Sequence, residues 1–279
     1  YSMIVPQELQ DRACFIVMGS EGRREQMLKT DQDNALIIKD EADEEAFKPL
    51  MERYTKTLIE FGYPECKGNI MVSNPYWRKS LRAFKEELAR YLESPRKDDY
   101  MYLAIFYDSI AVAGDEKMLA ELKDYIYERM GGKDIFMANF AKAALLFETP
   151  ISFFSNLKAD RNRLDVKKGG IFSIVHGVRS LALKYKIAET ETIKRIQALK
   201  SKHIFEDGFG EALIEAFDTF LNLRLKEQLW CIDRGEKRDN FIRIDRLNQL
   251  EIELLKDSLK IVDKFKRFLV HHFKINMVQ

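Results

Sequence analysis

The sequence predicts an α+β protein in which a small mixed-sheet domain is followed by an α-helical bundle. Two short apolar runs, residues 14–18 and 35–38, flank a small-residue turn and are typical of neighbouring strands. From Asp115 onward, apolar residues recur at three- and four-residue steps in long segments joined by short polar loops, as in a helical bundle. We therefore expect two domains, spanning residues 1–130 and 131–279.

The composition is that of a soluble globular protein. Of the 279 residues, 46% are hydrophobic and 33% charged, and no apolar run approaches the roughly 20 residues that a membrane span needs. The first residues lack the charged and apolar regions of a signal peptide. Cys14, Cys66 and Cys231 are far apart and show no zinc-binding spacing, so we expect reduced thiols and a cytoplasmic location. The chain begins with Tyr1 rather than Met, which fits part of a longer protein.

Charge is divided unevenly along the chain, although the net charge is only +1. Residues 1–154 carry 21 Lys and Arg against 27 Asp and Glu, whereas residues 155–279 carry 25 against 18. The near-neutral total argues against a nucleic-acid-binding protein. A metal and polyphosphate site is one explanation for the acidic first half. The alternative is that helical surfaces simply differ in charge.

The first candidate site lies between the two opening strands. Gly19 and Ser20 form a small-residue turn whose backbone amides suit a phosphate, and residues 21–29 are expected to form a short helix. Asp31 and Asp33 then open the second strand, where residues two apart point to the same face. Paired carboxylates repel each other unless a cation lies between them, and Mg²⁺ binds carboxylates together with substrate phosphates. The alternative is a turn whose acids cap a helix.

The rest of the first domain is expected to mix helices and strands. Residues 43–61 show helical periodicity, with Asp43 placed to cap the helix and Gly62 to end it. Residues 69–73 form a brief apolar run typical of a strand. Residues 77–92 are expected to form a second amphipathic helix.

The longest predicted strand covers residues 101–113 and contains an acid at its centre. The run is largely apolar and ends at Gly114. Asp108 lies within it, where a carboxylate is costly unless it is paired or metal-bound. Asp108 is therefore a candidate third acid. The alternative is an acid at a sheet edge that faces water.

The second domain is expected to be helical. Helices are predicted at residues 115–130, which close the first domain, and then at 134–147, 171–186, 190–202, 210–232 and 244–273. Residues 151–168 lack a regular pattern. They end in Lys167 and Lys168, followed by two glycines at a helix start, and this sequence suits a phosphate contact. The alternative is a basic helix start with glycine for the turn.

These motifs resemble a known superfamily. Gly19-Ser20 followed after ten residues by Asp31-Gln32-Asp33 is similar to the signature of polymerase-β-type nucleotidyltransferases. The longer string GSEGRREQ…TDQDNA resembles the nucleotidyltransferase family related to the bacterial protein-PII uridylyltransferase, often linked to CBS or cyclic-nucleotide-binding domains. Further similarity lies at residues 74–77, 106–108, 114–115 and 165–170, so the resemblance covers most of the chain.

The resemblance implies roles for particular residues. Asp31, Asp33 and Asp108 would be the metal-binding and catalytic acids, with Asp108 on a strand beside that of Asp31 and Asp33. The remaining candidates would contact nucleotide phosphates; they are Gly19, Ser20, Arg23, Lys167 and Lys168. Arg23 matches the arginine of the motif Gly-Ser-x-Gly-Arg, and its alternative is a solvated helix face. Related sequences often carry arginine soon after the third acid, whereas Ser109 and Ile110 follow it here.

The expected function is Mg²⁺-dependent transfer of a nucleoside monophosphate from an NTP to a hydroxyl acceptor, with release of pyrophosphate. By analogy with the PII uridylyltransferase, the acceptor can be a protein, and regulatory domains can precede this segment in a longer signalling chain. The alternative is a nucleotide-sensing or partner-binding module without turnover. A nucleic-acid polymerase is disfavoured by the near-neutral charge and by the lack of a basic, aromatic surface.

Overall fold

The computed structural model describes residues 1–152, 156–237 and 239–278, which form two compact units, Tyr1–Gly132 and Lys133–Gln279. The first unit is α+β and the second is almost entirely helical, so the predicted fold class is confirmed. Within the described residues, no helix is long and apolar enough to cross a membrane.

The first unit is built on a four-stranded mixed sheet. Its strand order is β3-β2-β1-β4, with β1 antiparallel to β2 and β4, and β2 parallel to β3. The strands are β1 Ala13–Val17, β2 Asn34–Ile38, β3 Arg78–Ser80 and β4 Ile110–Gly114. All residues of the two central strands are buried, which explains their continuous apolar runs. The two opening strands predicted from the sequence are confirmed.

Six helices complete the first unit. They are α1 Gln7–Gln10, α2 Gly19–Gly22, α3 Glu44–Glu60, α4 Leu81–Glu93, α5 Asp99–Tyr107 and α6 Lys117–Arg129. The predicted cap of α3 is confirmed, because the Asp43 carboxylate accepts a hydrogen bond of 3.0 Å from the Glu45 amide. Helix α3 packs Phe47 and Met51 into the core formed by β1 and β2.

Several sequence-based boundaries in the first unit were wrong. Residues 21–29 form no continuous helix, because α2 ends at Gly22 and Arg24 adopts a left-handed φ of 56°. Residues 69–73 form no strand. The second amphipathic helix begins at Leu81 rather than at residue 77, because Arg78–Ser80 pairs with β2 and the Ser80 hydroxyl caps α4.

The predicted strand at residues 101–113 is the largest error. Its first part is helix α5, and only Ile110–Gly114 is a strand. A run that is apolar on every side has no readable period, so neither helix nor strand is favoured by the pattern alone. The expected neighbour was also wrong, since β4 pairs with β1 and not with the strand that follows Asp31 and Asp33.

The second unit is a set of helices with one small two-stranded sheet. The helices are α7 Asp134–Lys142, α8 Phe172–Lys184, α9 Thr192–Ser201, α10 Phe209–Asp233 and α11 Gln249–His272, and the strands are β5 Arg163–Asp165 and β6 Phe241–Arg243. Helix α8 is buried from Ser173 to Leu183 and is the central helix. A short π-helix, Lys167–Ile171, leads into α8, and we call it the π-turn.

The helical predictions for this unit are confirmed apart from their ends. Helix α11 begins at Gln249 rather than at residue 244, because the Asn248 side chain and the Glu251 side chain form a capping box at its start. Strands β5 and β6 were not predicted. Residues 153–155, within the segment expected to be irregular, lie outside the described residues.

Candidate active site at the edge of the sheet

Strand register brings three sequence-distant segments to one edge of the sheet. Val17, the last residue of β1, pairs with Asn34 at the start of β2 and with Ile110 at the start of β4. The turn after β1, the acids before β2 and the acid before β4 therefore lie at the same edge. The sequence predicted all three as one site, but Asp108 reaches it through the pairing of β4 with β1 and not with β2.

Gly19 lies directly against the Asp33 carboxylate. The Met18 amide donates to the Asp33 carbonyl at 2.8 Å, which ties the turn to the acidic segment. Gly19 has a φ of +57°, and a Cβ placed on it would lie 2.4 Å from Asp33 Oδ2. Only glycine allows this approach without moving the carboxylate. The Asp33 side chain thus packs directly against the small-residue turn.

Asp31 and Asp33 precede β2 instead of lying on it, so the prediction that they open the second strand was wrong. Asp31 is exposed and Asp33 is half-buried, whereas Gln32 between them is 1% exposed. The extended segment therefore buries the middle side chain and leaves both carboxylates toward the outside. That the two carboxylates share a cation stays a prediction.

A loop that the sequence reasoning missed holds the acidic segment in place. The Gln32 amide donates to the Pro64 carbonyl and the Asn34 amide to the Ile70 carbonyl, at 3.4 and 3.1 Å. The buried Asn34 side chain accepts from the Val72 amide at 2.8 Å. These contacts span more than thirty positions in sequence. No local pattern indicates them.

The carboxyl groups of Glu21 and Asp33 lie close enough at this edge to interact. Burial raises the pKa of the Glu21 carboxyl, and the charge of Asp33 raises it further. Cys66, on the same loop as Pro64, is hydrogen-bonded to Asp33, and burial raises the pKa of its thiol to about 11. Glu21 was not among the predicted site residues, although it stands two positions after Gly19. A third carboxyl group thus lies near the predicted pair.

Arg23 and Asp108 form a buried ion pair. Arg23 Nη1 donates to Asp108 Oδ2 at 2.7 Å, and Arg23 Nε donates to Glu25 Oε2 at 2.7 Å. Asp108 is 0% exposed. Burial would lower the pKa of the Arg23 guanidinium, but the carboxylates of Glu25 and Asp108 outweigh it and raise that pKa. Arg23 is thus turned toward two protein carboxylates, and Asp108 toward a protein cation.

The same edge packs tightly around Asp108. A Cβ placed on Gly22 would lie 2.2 Å from the Asp108 carbonyl oxygen, so the turn after β1 contacts both Asp33 and Asp108. The third acid is near the turn, as expected, but it is at the end of α5 and not in the middle of a strand. Ser20 is half-buried, and its carbonyl accepts from the Glu25 amide at 2.9 Å.

The donor set suits a hard cation, although it is incomplete without a ligand. Among the described residues, no group of three or more Asp, Glu, His or Cys side chains is arranged to hold a metal ion. Mg²⁺ usually takes only one or two protein carboxylates and completes its shell with substrate phosphates and water. Asp31 and Asp33 match that requirement.

Lys167 and Lys168 lie in the helical unit and open the π-turn. Both are exposed. The glycines that follow them are buried by protein, because a Cβ on Gly169 would lie 2.6 Å from Pro150 and a Cβ on Gly170 would lie 2.6 Å from the Phe220 ring. The glycines therefore serve close packing of the turn, and the lysines remain on the surface.

Comparison with family models identifies the chain. Residues 134–273, half of the protein, match the model described as "Putative nucleotidyltransferase substrate binding domain". The chain belongs to the DUF294 nucleotidyltransferase family. Residues 2–98, which include the turn after β1 and both acids before β2, match the model described as "Putative nucleotidyltransferase DUF294".

The family assignment confirms the resemblance predicted from the motifs. The DUF294 match contains Gly19, Ser20, Asp31 and Asp33, and the match to the substrate-binding domain contains the π-turn. Comparison with curated proteins returned no match.

Proposed function

We propose that this member of the DUF294 family transfers a nucleoside monophosphate from an NTP to a hydroxyl acceptor. The observation that carries the proposal is the packing of the Asp33 carboxylate against Gly19, beside exposed Asp31. It supports the proposal because the turn proposed to bind phosphate and the two carboxylates lie at the same edge of the sheet. In this reaction the acceptor oxygen bonds to the α-phosphorus, the bond to pyrophosphate breaks, and the hydroxyl proton leaves to a base.

Each residue at the edge has a proposed task. Asp31 and Asp33 would hold Mg²⁺, which, when bound, neutralises the charge of the triphosphate. The backbone of Gly19 and Ser20 would contact the β- and γ-phosphates. Glu21 is suited to accept the proton, because burial and the charge of Asp33 raise the pKa of its carboxyl group.

The geometry favours a positioning role for Arg23 and Asp108. The expectation from the sequence is that Asp108 binds metal and that Arg23 contacts phosphate. Because each is the other's buried partner, we propose that Asp108 positions Arg23, and that this pair and Glu25 fix the turn against the sheet. Lys167 and Lys168 are proposed to meet phosphates of the nucleotide or of the acceptor. We also propose that the acceptor is a protein and that regulatory domains accompany this segment in a longer chain. The same proposal includes a signalling role and a cytoplasmic location.

The test is metal-dependent nucleotide binding. Calorimetry with a non-hydrolysable NTP should show binding that is lost when Mg²⁺ is chelated. Asp33→Asn should weaken this binding by at least about 10-fold, because it removes one of two metal-binding carboxylates. It should leave the metal-free protein as stable or more stable, because repulsion with Glu21 is relieved.

A matched control is Asp257→Asn, an exposed acid of α11 paired with Lys260. It should change neither metal nor nucleotide binding. Equal NTP affinity with and without Mg²⁺ would contradict the proposal, as would an Asp33→Asn protein that binds as its parent does.

A sensing module without turnover is the second candidate. It is favoured by the fully buried pairing of Asp108, which leaves fewer acids for chemistry. Pyrophosphate release from each NTP, with cell extract as the source of acceptors, separates the two. Binding without any pyrophosphate release would favour the sensor.

A further inference from the structure

A buried arginine lies at the start of β3, and the proposed reaction gives it no task. Arg78 is only 6% exposed, and its guanidinium keeps its charge because arginine does not lose its proton in proteins. Burial lowers the pKa of Arg78, and the charges of three glutamates on α3 partly offset this effect. Across residues 1–152, 156–237 and 239–278, Arg78 makes no ion pair. Its hydrogen bonds are made to backbone carbonyl groups instead.

The guanidinium of Arg78 is bound to residues 69–74, which we call the anchor loop. Its Nη1 donates to the Val72 carbonyl at 3.0 Å and to the Ser73 carbonyl at 3.1 Å. Hydrogen bonds from a charged donor are roughly twice as strong as those between neutral groups. One nitrogen atom of Arg78 thus fastens two consecutive peptide groups of the anchor loop.

The anchor loop in turn holds the start of β2. The Val72 amide donates to the Asn34 side chain at 2.8 Å, and the Asn34 amide donates to the Ile70 carbonyl at 3.1 Å. Val72 is therefore bound at both ends, by Arg78 through its carbonyl and by Asn34 through its amide. Because Asn34 directly follows Asp33, this series of contacts ends at the proposed metal site.

The motif at residues 74–77, which contributes to the resemblance to nucleotidyltransferases, closes the anchor loop. The Asn74 side chain donates to the Asn69 carbonyl at 2.9 Å and so joins the two ends of the loop. A 3₁₀ helix, Pro75–Trp77, then leads into β3 and brings Arg78 beside β2. The motif therefore places the arginine next to the strand whose start the anchor loop holds.

We propose that Arg78 is a positioning residue of the proposed Mg²⁺ site. Through the anchor loop and Asn34, it holds the segment of Asp31 and Asp33 in the geometry that binds the metal. This inference rests on the proposed function, because it assigns a further residue to the same site. Groups that orient metal ligands change metal affinity by about 10- to 100-fold when they are altered. Arg78 therefore has a measurable task although it does not touch the metal.

The experiment uses the full chain and compares Arg78→Gln with its parent. Mn²⁺ is the probe, because it also prefers carboxylate ligands and its electron paramagnetic resonance signal reports the free ion. We expect Arg78→Gln to weaken Mn²⁺ binding by about 10-fold. A second measurement, amide hydrogen exchange of Val72 in EDTA, needs no metal. Exchange should be faster in the variant, because the anchor loop opens more often.

Two further variants test the same loop. Arg78→Lys keeps a cation whose single nitrogen can donate to both carbonyls, as Nη1 does in the parent, and should bind Mn²⁺ more tightly than Arg78→Gln does. Asn74→Ala opens the anchor loop without removing a buried charge. It should fold, exchange its Val72 amide faster than the parent and bind Mn²⁺ more weakly.

Arg90→Gln is the matched control, because it removes another arginine of the same unit. Arg90 pairs with the buried carboxylate of Asp99 at 2.6 Å. Loss of this pair should lower the melting temperature, since it leaves a buried charge uncompensated. Mn²⁺ affinity and the exchange of the Val72 amide should stay as in the parent. The control thus separates positioning of the metal ligands from general stability.

Three results would overturn the role of Arg78. Equal Mn²⁺ affinity in the parent, Arg78→Gln and Asn74→Ala would show that the anchor loop does not position the metal ligands. Unchanged exchange at Val72 in Arg78→Gln would show that Arg78 does not hold the loop. Equal weakening of Mn²⁺ binding in Arg90→Gln would assign the effect to stability. A parent protein that binds no Mn²⁺ would contradict the proposed function itself, and with it the role of Arg78.

Discussion

The buried ion pair of Arg23 and Asp108 links the turn after β1 to the start of β4. Its partners are 85 positions apart in sequence, and the carboxylate is fully buried. Removing one partner of such a pair leaves an uncompensated charge in the interior. This costs more stability than replacing both partners with apolar residues. The pair therefore explains why an acid can occupy this site without a metal.

Asp108→Asn is expected to lower the free energy of unfolding by about 3 kcal/mol, the usual cost of removing one partner of a buried pair. Chemical denaturation in EDTA measures this change. Arg23→Gln should cost a similar amount, and the double variant should cost less than the two single changes added together. The Asp108→Asn variant could instead be as stable as its parent in EDTA and no longer be stabilised by Mg²⁺. That result would support a metal-binding role for Asp108.

His272, at the end of α11, predicts a pH-dependent stability. Burial, aided by the nearby charge of Lys184, lowers the pKa of its imidazole from 6.5 to about 4. Its ring lies against Phe268 and within 3.2 Å of the Tyr185 hydroxyl. Between pH 6.5 and 4 the unfolded chain binds a proton that the folded chain does not, so stability falls as pH falls through this window.

The loss from His272 over that window should be at most about 3 kcal/mol. The measurement is denaturant unfolding at pH 7, 6, 5 and 4.5. His272→Phe keeps the aromatic contacts and should flatten this part of the profile. His271→Phe, the exposed neighbour, is the control and should leave the profile unchanged. A His272→Phe profile as steep as the parent's would assign the acid sensitivity to other groups.

Among the elements, the four-residue helix Gly19–Gly22 depends on tertiary contacts for its stability. It is too short to be stable alone, and it is held by contacts with Asp33 and Asp108 on either side. Its first residue has a left-handed φ and no room for a Cβ. The geometry of the proposed phosphate site thus depends on glycine at position 19.

Gly19→Ala is expected to displace the Asp33 carboxylate and to weaken Mg²⁺–NTP binding by about 10-fold or more. Gly132→Ala is a close control, because Gly132 also has a positive φ, +72°, but nothing lies within 4 Å of its would-be Cβ. Both variants should lose about 1 kcal/mol of stability from backbone strain. Only Gly19→Ala should lose nucleotide binding. Equal binding by the two variants would show that the packing of Gly19 against Asp33 is not needed for it.

For the whole molecule, charge follows the division into two units. Tyr1–Gly132 carries 19 Lys and Arg against 25 Asp and Glu, a net charge of −6, whereas Lys133–Gln279 carries 27 against 20, a net charge of +7. An acidic unit repels a triphosphate unless a cation is bound first. The charge of the first unit therefore supports the metal dependence that we propose for nucleotide binding.

Because the first unit has its own core and contains Gly19, Asp31, Asp33 and the Arg23–Asp108 pair, we propose the unit boundary as a domain boundary. A fragment of residues 1–132 should fold by itself and bind Mg²⁺–NTP within a few-fold of the full chain, as measured by calorimetry. The fragment of residues 133–279 should show no Mg²⁺-dependent NTP binding. A cooperatively folded first fragment without Mg²⁺–NTP affinity would show that the nucleotide site needs the second unit.

What the sequence determined by itself was local. The apolar runs that became β1 and β2, the Asp43 cap, the long helices of the second unit and the spacing of Gly19 to Asp33 all depend on residues near one another in the chain. Periodicity and capping express the preferences of a single turn or strand, so they can be read without knowing the neighbours.

Only the tertiary structure decided which distant segments meet. It made residues 99–107 a helix, placed β4 beside β1, joined Arg23 to Asp108 and fastened Asn34 to the loop at Val72. An all-apolar run has no hydrophobic periodicity that would distinguish helix from strand. The sequence also does not show which residue a charged side chain will pair with. Both are settled by burial and by pairing across the fold, which depend on the whole chain.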